Sequence, residues 1–358
     1  MGGVAVSVSL GMPRVLAPVE VGLGESAALG PGLLTDRFGR VHRDLRISLT
    51  DKCNLRCTYC MPEQGMPWIA RDKQLSVEEM ARIAGIAVAH GVTEIRLTGG
   101  EPLLHRDVVD ITRRLASLPG APEVSMTTNG VHLVKLAGPL RDAGLTRLNI
   151  SLDTVDRDRF RQLTRRDQFD AVLQGLDAAD EAGFTGTKLN SVLLRGVNDD
   201  EAPALMEFAH GRGYEPRFIE QMPLDAGHTW SRDTMVTADE IFAALTDQHT
   251  LTPVPHRGAA PAQRWYVDGT SAMVGIIASV TRPFCGACDR IRLTSDGQLR
   301  NCLFQRGESD LRALVRAGGS DQDIAHALGV SIEQKLPGHG VNDPGFIQPE
   351  RGMSAIGG

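Results

Sequence analysis

The sequence predicts an α/β fold built on a mainly parallel sheet, and three observations predict it. Short apolar runs recur between residues 45 and 222, segments of helical period lie between most of them, and capping residues mark where helices begin.

The strands come in order as LRISL (45–49), EIRLT (94–98), EVSMT (123–127), RLNIS (147–151), KLNSVLL (188–194) and RFIEQM (217–222). Runs of this length suit strands buried in a parallel sheet. Helical patterns fall near 107–118, 131–143, 169–182 and 201–211, and the clearest begins at Ser76, where Ser76 and Glu79 form a capping box before MARIAGIAVAH. Repeated βα units allow a doubly wound sheet or one rolled into an incomplete barrel; six strands are two short of a closed eight-stranded one. The alternation stops near 224. Beyond it the sequence predicts a helix over 237–249 capped by Thr237 and Glu240, a Pro-rich joint, a strand over 272–280, a hairpin turning at Ser295-Asp296-Gly297, two short helices and a Gly/Pro-rich tail. The expected organisation is a mobile extension (1–35), a barrel (36–224) and a C-terminal domain (225–358).

At 358 residues and 42% hydrophobic content, the chain can bury a core. A net charge of −6 argues against a broad nucleic-acid surface, so an anionic ligand has to meet a local basic pocket. No apolar run is long enough to span a membrane and no basic leader precedes an apolar stretch. The expected location is the cytoplasm, where six cysteines stay reduced for metal or redox work. Only five of the 38 basic residues are lysines, at 52, 73, 135, 188 and 335, which makes each a more informative residue than usual.

The cysteines fall into two groups of three. Cys53, Cys57 and Cys60 follow the first strand as C-x3-C-x2-C; Cys285, Cys288 and Cys302 form C-x2-C-x13-C near the C-terminus. Three is an awkward number, because disulfides need pairs and a closed zinc site needs four ligands. A cubane held by three thiolates instead leaves one iron open to a small molecule. A zinc knuckle completed by His256 stays open for the second group. Gly99-Gly100-Glu101 follows the second strand; glycines permit close approach to the backbone, and a carboxylate can receive an ammonium.

The first spacing, with Tyr59 before its last cysteine, together with TGGEPLL (98–104), resembles the radical S-adenosylmethionine superfamily. PFCGACDRIRLTSDGQLRNCLF (283–304), CTYCMP and the terminal Gly-Gly narrow the likeness to the GTP 3′,8-cyclase family of molybdenum cofactor biosynthesis, over about residues 36–358. The resemblance implies a partial (βα)6 barrel with a C-terminal iron–sulfur domain, two [4Fe-4S] clusters and S-adenosylmethionine as cofactors, and GTP as substrate. It also implies that a deoxyadenosyl radical takes the ribose C3′ hydrogen before C3′ joins guanine C8.

By the same resemblance, Tyr59, Gly100, Ser151 and Met222 contact S-adenosylmethionine. Arg46, Arg96, Thr127, Lys188, Arg290, Ile291 and Arg292 contact GTP. Gly357 and Gly358 thread into the site, and no conventional acid or base is assigned. Arg290 and Arg292, two apart on a strand, share a face. The implied partners are an electron donor such as flavodoxin or ferredoxin and a cyclic pyranopterin monophosphate synthase that takes the product, with the chain as monomer or homodimer. A twin-cluster enzyme acting on a peptide and a non-enzymatic zinc or iron–sulfur protein are the alternatives.

Overall fold

A computed structural model describes residues 34–357. The expected extension over 1–35 therefore lies outside the described residues, except for Leu34 and Thr35. These two are ordered: Leu34 is buried, and Thr35 bridges Val41.

All six expected strands form, within three residues of their expected bounds: β1 (Asp44–Ser48), β2 (Glu94–Thr98), β3 (Glu123–Thr128), β4 (Arg147–Ser151), β5 (Lys188–Val192) and β6 (Glu215–Ile219). They pair parallel and in sequence order. Six more follow: β7 (Leu251–Pro253), β8 (Gln263–Val267), β9 (Met273–Ile277), β10 (Arg290–Leu293), β11 (Gln298–Arg300) and β12 (Ser309–Asp310). The later strands join the same sheet, which runs β12-β11-β10-β1-β2-β3-β4-β5-β6-β9-β8-β7. Both junctions, β10 on β1 and β9 on β6, are parallel. The C-terminal segment thus extends the barrel sheet at both edges.

Strand alternation sorts the side chains. On one face Leu45, Ile47, Ile95, Leu97, Val124, Met126, Leu148, Ile150, Leu189, Ile291 and Leu293 are at most 1% exposed and form the main core with the helices. The other face is polar, and the register sets Arg46 beside Arg96 and Arg292, Thr127 beside Asn149, and Asn149 beside Lys188. Both expected capping boxes, Ser76 with Glu79 and Thr237 with Glu240, close. The hairpin at 295–297 joins β10 to β11. Among the described residues no helix is long and apolar enough to cross a membrane.

Candidate active site

The loop after β1 carries the first three thiols to the C-terminal ends of the strands. Its partner is the turn after β2. Gly100 N–H donates to Thr50 O at 2.7 Å and Glu101 N–H to Lys52 O at 2.7 Å. A Cβ on Gly100 would collide with the carbonyls of Asp51 and Lys52. These glycines therefore serve an approach of backbone to backbone, where the sequence suggested approach to a ligand. Glu101, 1% exposed, accepts from Leu103 N–H (3.0 Å), Thr128 Oγ1 (2.7 Å) and Asn129 N–H (2.8 Å), which straps the turn to β3. Burial pushes its carboxyl up to about 7 against the pull of those bonds.

A cavity of about 170 Å³ opens here. Cys53, Cys57 and Cys60 line it with Tyr59, Gly100, Glu101, Thr127, Ser151, Asp153 and, from the tail, Met353 and Ser354. Burial holds Cys53 up at about 11 and Cys60 at about 12, and Cys57 well above its ordinary value, with the negative charges of neighbouring carboxylates and thiols adding to the rise. Tyr59 donates to Asp153 Oδ2 at 2.7 Å, and Asp153 is pushed up to about 6 by burial. Asp153 is a site residue the sequence reading missed; its signal was the carboxylate two positions past Ser151 in LNISLD.

The second trio surrounds a cavity of about 70 Å³, lined also by Met222, Phe284, Arg290, Arg292, Asn301 and His339. His256 does not line it. His339 is spoken for: Nε2 donates to Ser279 O at 2.8 Å, and Nδ1 accepts from Val341 N–H at 3.1 Å. Among the described residues no three His, Cys, Asp or Glu side chains could hold a single metal ion. A cubane places its thiolates on separate irons, so three cysteines around one cavity suit it better than they suit a closed one-ion site. Each trio fits a cluster on this donor set.

The polar sheet face carries Arg46, Arg96, Arg147, Lys188, Arg217, Arg290 and Arg292, against the carboxylates Asp44, Glu94, Glu123 and Glu215. Asp44 sits 3.6 Å from both Arg46 and Arg290. Burial would raise Asp44, but Arg46, Arg96, Arg290 and Arg292 carry it below the usual carboxylate range. Burial and mutual repulsion lower Arg46 strongly, Arg292 to about 10 and Lys188 to about 7. Nε of Arg46, Arg147 and Arg290, with Oδ1 of Asp44 and Asn190, are buried without a hydrogen-bond partner. Crowded cations with orphaned donors are what an anion-binding face looks like before the anion arrives.

The structure adds Arg217 and Arg147 to the expected set; both occupy the alternate positions of strands the sequence had identified. Ile291 buries its side chain in the core on the opposite face, which leaves its main chain as the part able to face a ligand. Thr127 borders the first cavity and Met222 the second. The tail joins the two sites. Ser354 N–H donates to the Cys60 sulfur, and Arg292 donates to Gly357 O at 2.6 Å. Gly357 has φ 87°, and a Cβ there would lie 2.7 Å from Thr98 Cγ2. Gly358 lies outside the described residues.

Comparison with known proteins agrees with this geometry. The Radical SAM superfamily model matches residues 47–209, and the Molybdenum Cofactor Synthesis C model matches 214–341. A GTP 3′,8-cyclase of Streptomyces coelicolor is 54% identical over 92% of this chain and 97% of its own length. The chain belongs to the GTP 3′,8-cyclase family. Other members it matches are GTP 3′,8-cyclase of Mycobacterium sp. strain KMS, at 51% identity, and GTP 3′,8-cyclase 2 of Mycobacterium tuberculosis, at 48%; each match covers 98% of this chain and 99% of the relative. Among solved structures, Streptococcus suis SuiB bound to S-adenosylmethionine superposes with a TM-score of 0.58 at 14% identity, covering 83% of this chain and 67% of that one. Native anSMEcpe with bound AdoMet gives 0.55 at 14%, covering 83% and 81%. These two likenesses concern the fold. In this cyclase-family chain the two cysteine trios divide between the two family models, one in each.

Proposed function

We propose that this chain cyclises GTP to (8S)-3′,8-cyclo-7,8-dihydroguanosine 5′-triphosphate, with the triphosphate on the cationic sheet face and the base toward the second thiol trio. The family places the chain at the first step of molybdenum cofactor biosynthesis, as a radical S-adenosylmethionine enzyme with [4Fe-4S] clusters. The observation that carries the substrate assignment is the set of buried arginine Nε atoms on that face that lack a hydrogen-bond partner. A triphosphate supplies the missing charge and acceptors together.

The first cluster with S-adenosylmethionine supplies, when bound, a carbon radical able to take a ribose hydrogen. The chain's own residues position and enclose. Cys53, Cys57 and Cys60 hold that cluster, while Tyr59, Gly100, Ser151 and Asp153 shape the cavity beside it. Arg46, Arg96, Lys188, Arg217, Arg290 and Arg292 neutralise the phosphates and fix the ribose against the cavity. Cys285, Cys288 and Cys302 hold the cluster near the base. The tail closes the passage between the sites against water. Delivery of electrons by a flavodoxin or ferredoxin, release of product to cyclic pyranopterin monophosphate synthase, a cytoplasmic location and a monomer or homodimer complete the reading.

The test is anaerobic turnover of the reconstituted chain with reductant, S-adenosylmethionine and GTP. The expected result is GTP-dependent deoxyadenosine release and a new nucleotide isomeric with GTP. Deoxyadenosine release indifferent to GTP, with no new nucleotide, contradicts the proposal.

A further inference from the structure

Lys335 is a lysine that the proposed function leaves without a task, and it is 3% exposed. Four acceptors converge on its Nζ: Arg290 O at 2.8 Å, His42 Nε2 at 3.0 Å, Cys288 O at 3.3 Å and Cys288 Sγ at 3.5 Å. An ammonium has three donors and no acceptor, so it suits a surrounding made only of acceptors. His42 is built to receive it. Its Nδ1 faces Leu34 O at 3.4 Å, and burial with the nearby Lys335 charge holds the ring neutral, down at about 4.

The same segment sends a second cation to the same turn. Arg40, paired with Asp36, donates to Cys285 O at 2.8 Å and Leu336 O at 2.8 Å. Arg40 and Lys335 thus hold the Cys285–Cys288 turn, and neither lines the cavity that the second trio surrounds.

We infer that Lys335 is a positioning residue of the second cluster, whose ammonium donates to the Cys288 sulfur and raises that cluster's reduction potential. Hydrogen bonds to the sulfurs and nearby charge are the protein's levers on such potentials. A fixed cation favours the more negative, reduced cluster, and Lys335 adds its charge to those of Arg290 and Arg292.

The inference rests on the second trio holding a cluster, and the unmodified chain tests that separately: iron for only one cluster would sink the underlying reading. Given both clusters, the test is an anaerobic redox titration of the full chain and of Lys335→Met, followed by electron paramagnetic resonance, with the first cluster as internal reference. The expected result is a negative shift of the second midpoint with the first unmoved. An unmoved second midpoint, or an equal shift of both, overturns the inference. If Lys335→Met fails to retain the second cluster, Lys335→Arg, which keeps the charge, is expected to retain it; loss in both variants also overturns the inference.

Discussion

The two cysteine trios have the same number of thiols and different charged neighbours. Around Cys53, Cys57 and Cys60 the nearby charges include the buried carboxyls Glu101 and Asp153, and all three thiols are held above their ordinary range. Around Cys288, burial alone would raise the thiol, yet Arg290 and Lys335 carry it below. At the second trio the relief is confined to Cys288, since burial keeps Cys285 raised. A cluster in the first setting is hard to reduce and a strong donor once reduced; in the second, Arg290 and Lys335 offset negative charge at Cys288. One scaffold thus gives the same ligand set unlike electrostatic neighbours.

The largest expected effects break this comparison at the thiols. Cys57→Ser is expected to lose about four of roughly eight irons and all deoxyadenosine formation. Cys302→Ser is expected to lose the same amount of iron, yet to keep cleaving S-adenosylmethionine while the cyclised nucleotide disappears. Iron analysis and chromatography read both. Identical phenotypes would mean that the two sites do not divide the work.

Next in size, Arg290→Ala with Arg292→Ala removes two cations from the second site and the tail's anchor. Charge-assisted hydrogen bonds are each worth about 1.5–3 kcal/mol, so GTP affinity should fall roughly 100-fold or more, while iron content stays whole. Calorimetry checks it, and an unchanged affinity removes the phosphates from this end of the face.

Gly357→Ala is a smaller perturbation. The left-handed φ and the approach to Thr98 disfavour any side chain. Strain of roughly 1–2 kcal/mol should displace the tail and slow product formation about tenfold, with both clusters and GTP affinity intact. An undiminished rate would reduce the tail to a packing element.

The smallest effect concerns Lys188. In the free protein, burial and then Arg217 and Arg147 bring it down to about 7. Bound triphosphate favours its charged form, so above pH 7 binding takes up a proton. Affinity should therefore fall as pH rises from 7, by at most about tenfold per unit. Lys188→Met should flatten that dependence, as calorimetry in buffers of different ionisation enthalpy would show.

Much of this was legible in the sequence because each signal was local. The strands declare themselves as short apolar runs, and β1 to β6 fall within three residues of where LRISL to RFIEQM put them. The helix Arg157–Thr164 escaped because RDRFRQLT is half charged and its apolar stripe is only Phe160 and Leu163. Strands β7 and β8 escaped because the prolines of TPVPHRGAAP suggested a joint. Arg217 was within reach: the period-two argument that paired Arg290 with Arg292 applies equally to the strand it occupies. By that same argument Ile291 turns its side chain to the core. Asp153 and Lys335 were harder, since each matters only through a partner far along the chain, Tyr59 in one case and Cys288 in the other. The attachment of β9 and β10 to opposite edges of one sheet is likewise a long-range fact that no local pattern announces.

The central claim is that each trio of thiols holds its own cubane. An anaerobic count of iron, acid-labile sulfide and zinc on the reconstituted full chain tests it most directly. The account predicts about eight irons and eight sulfides per chain with no zinc; about four irons, or zinc retained at either trio, would contradict it.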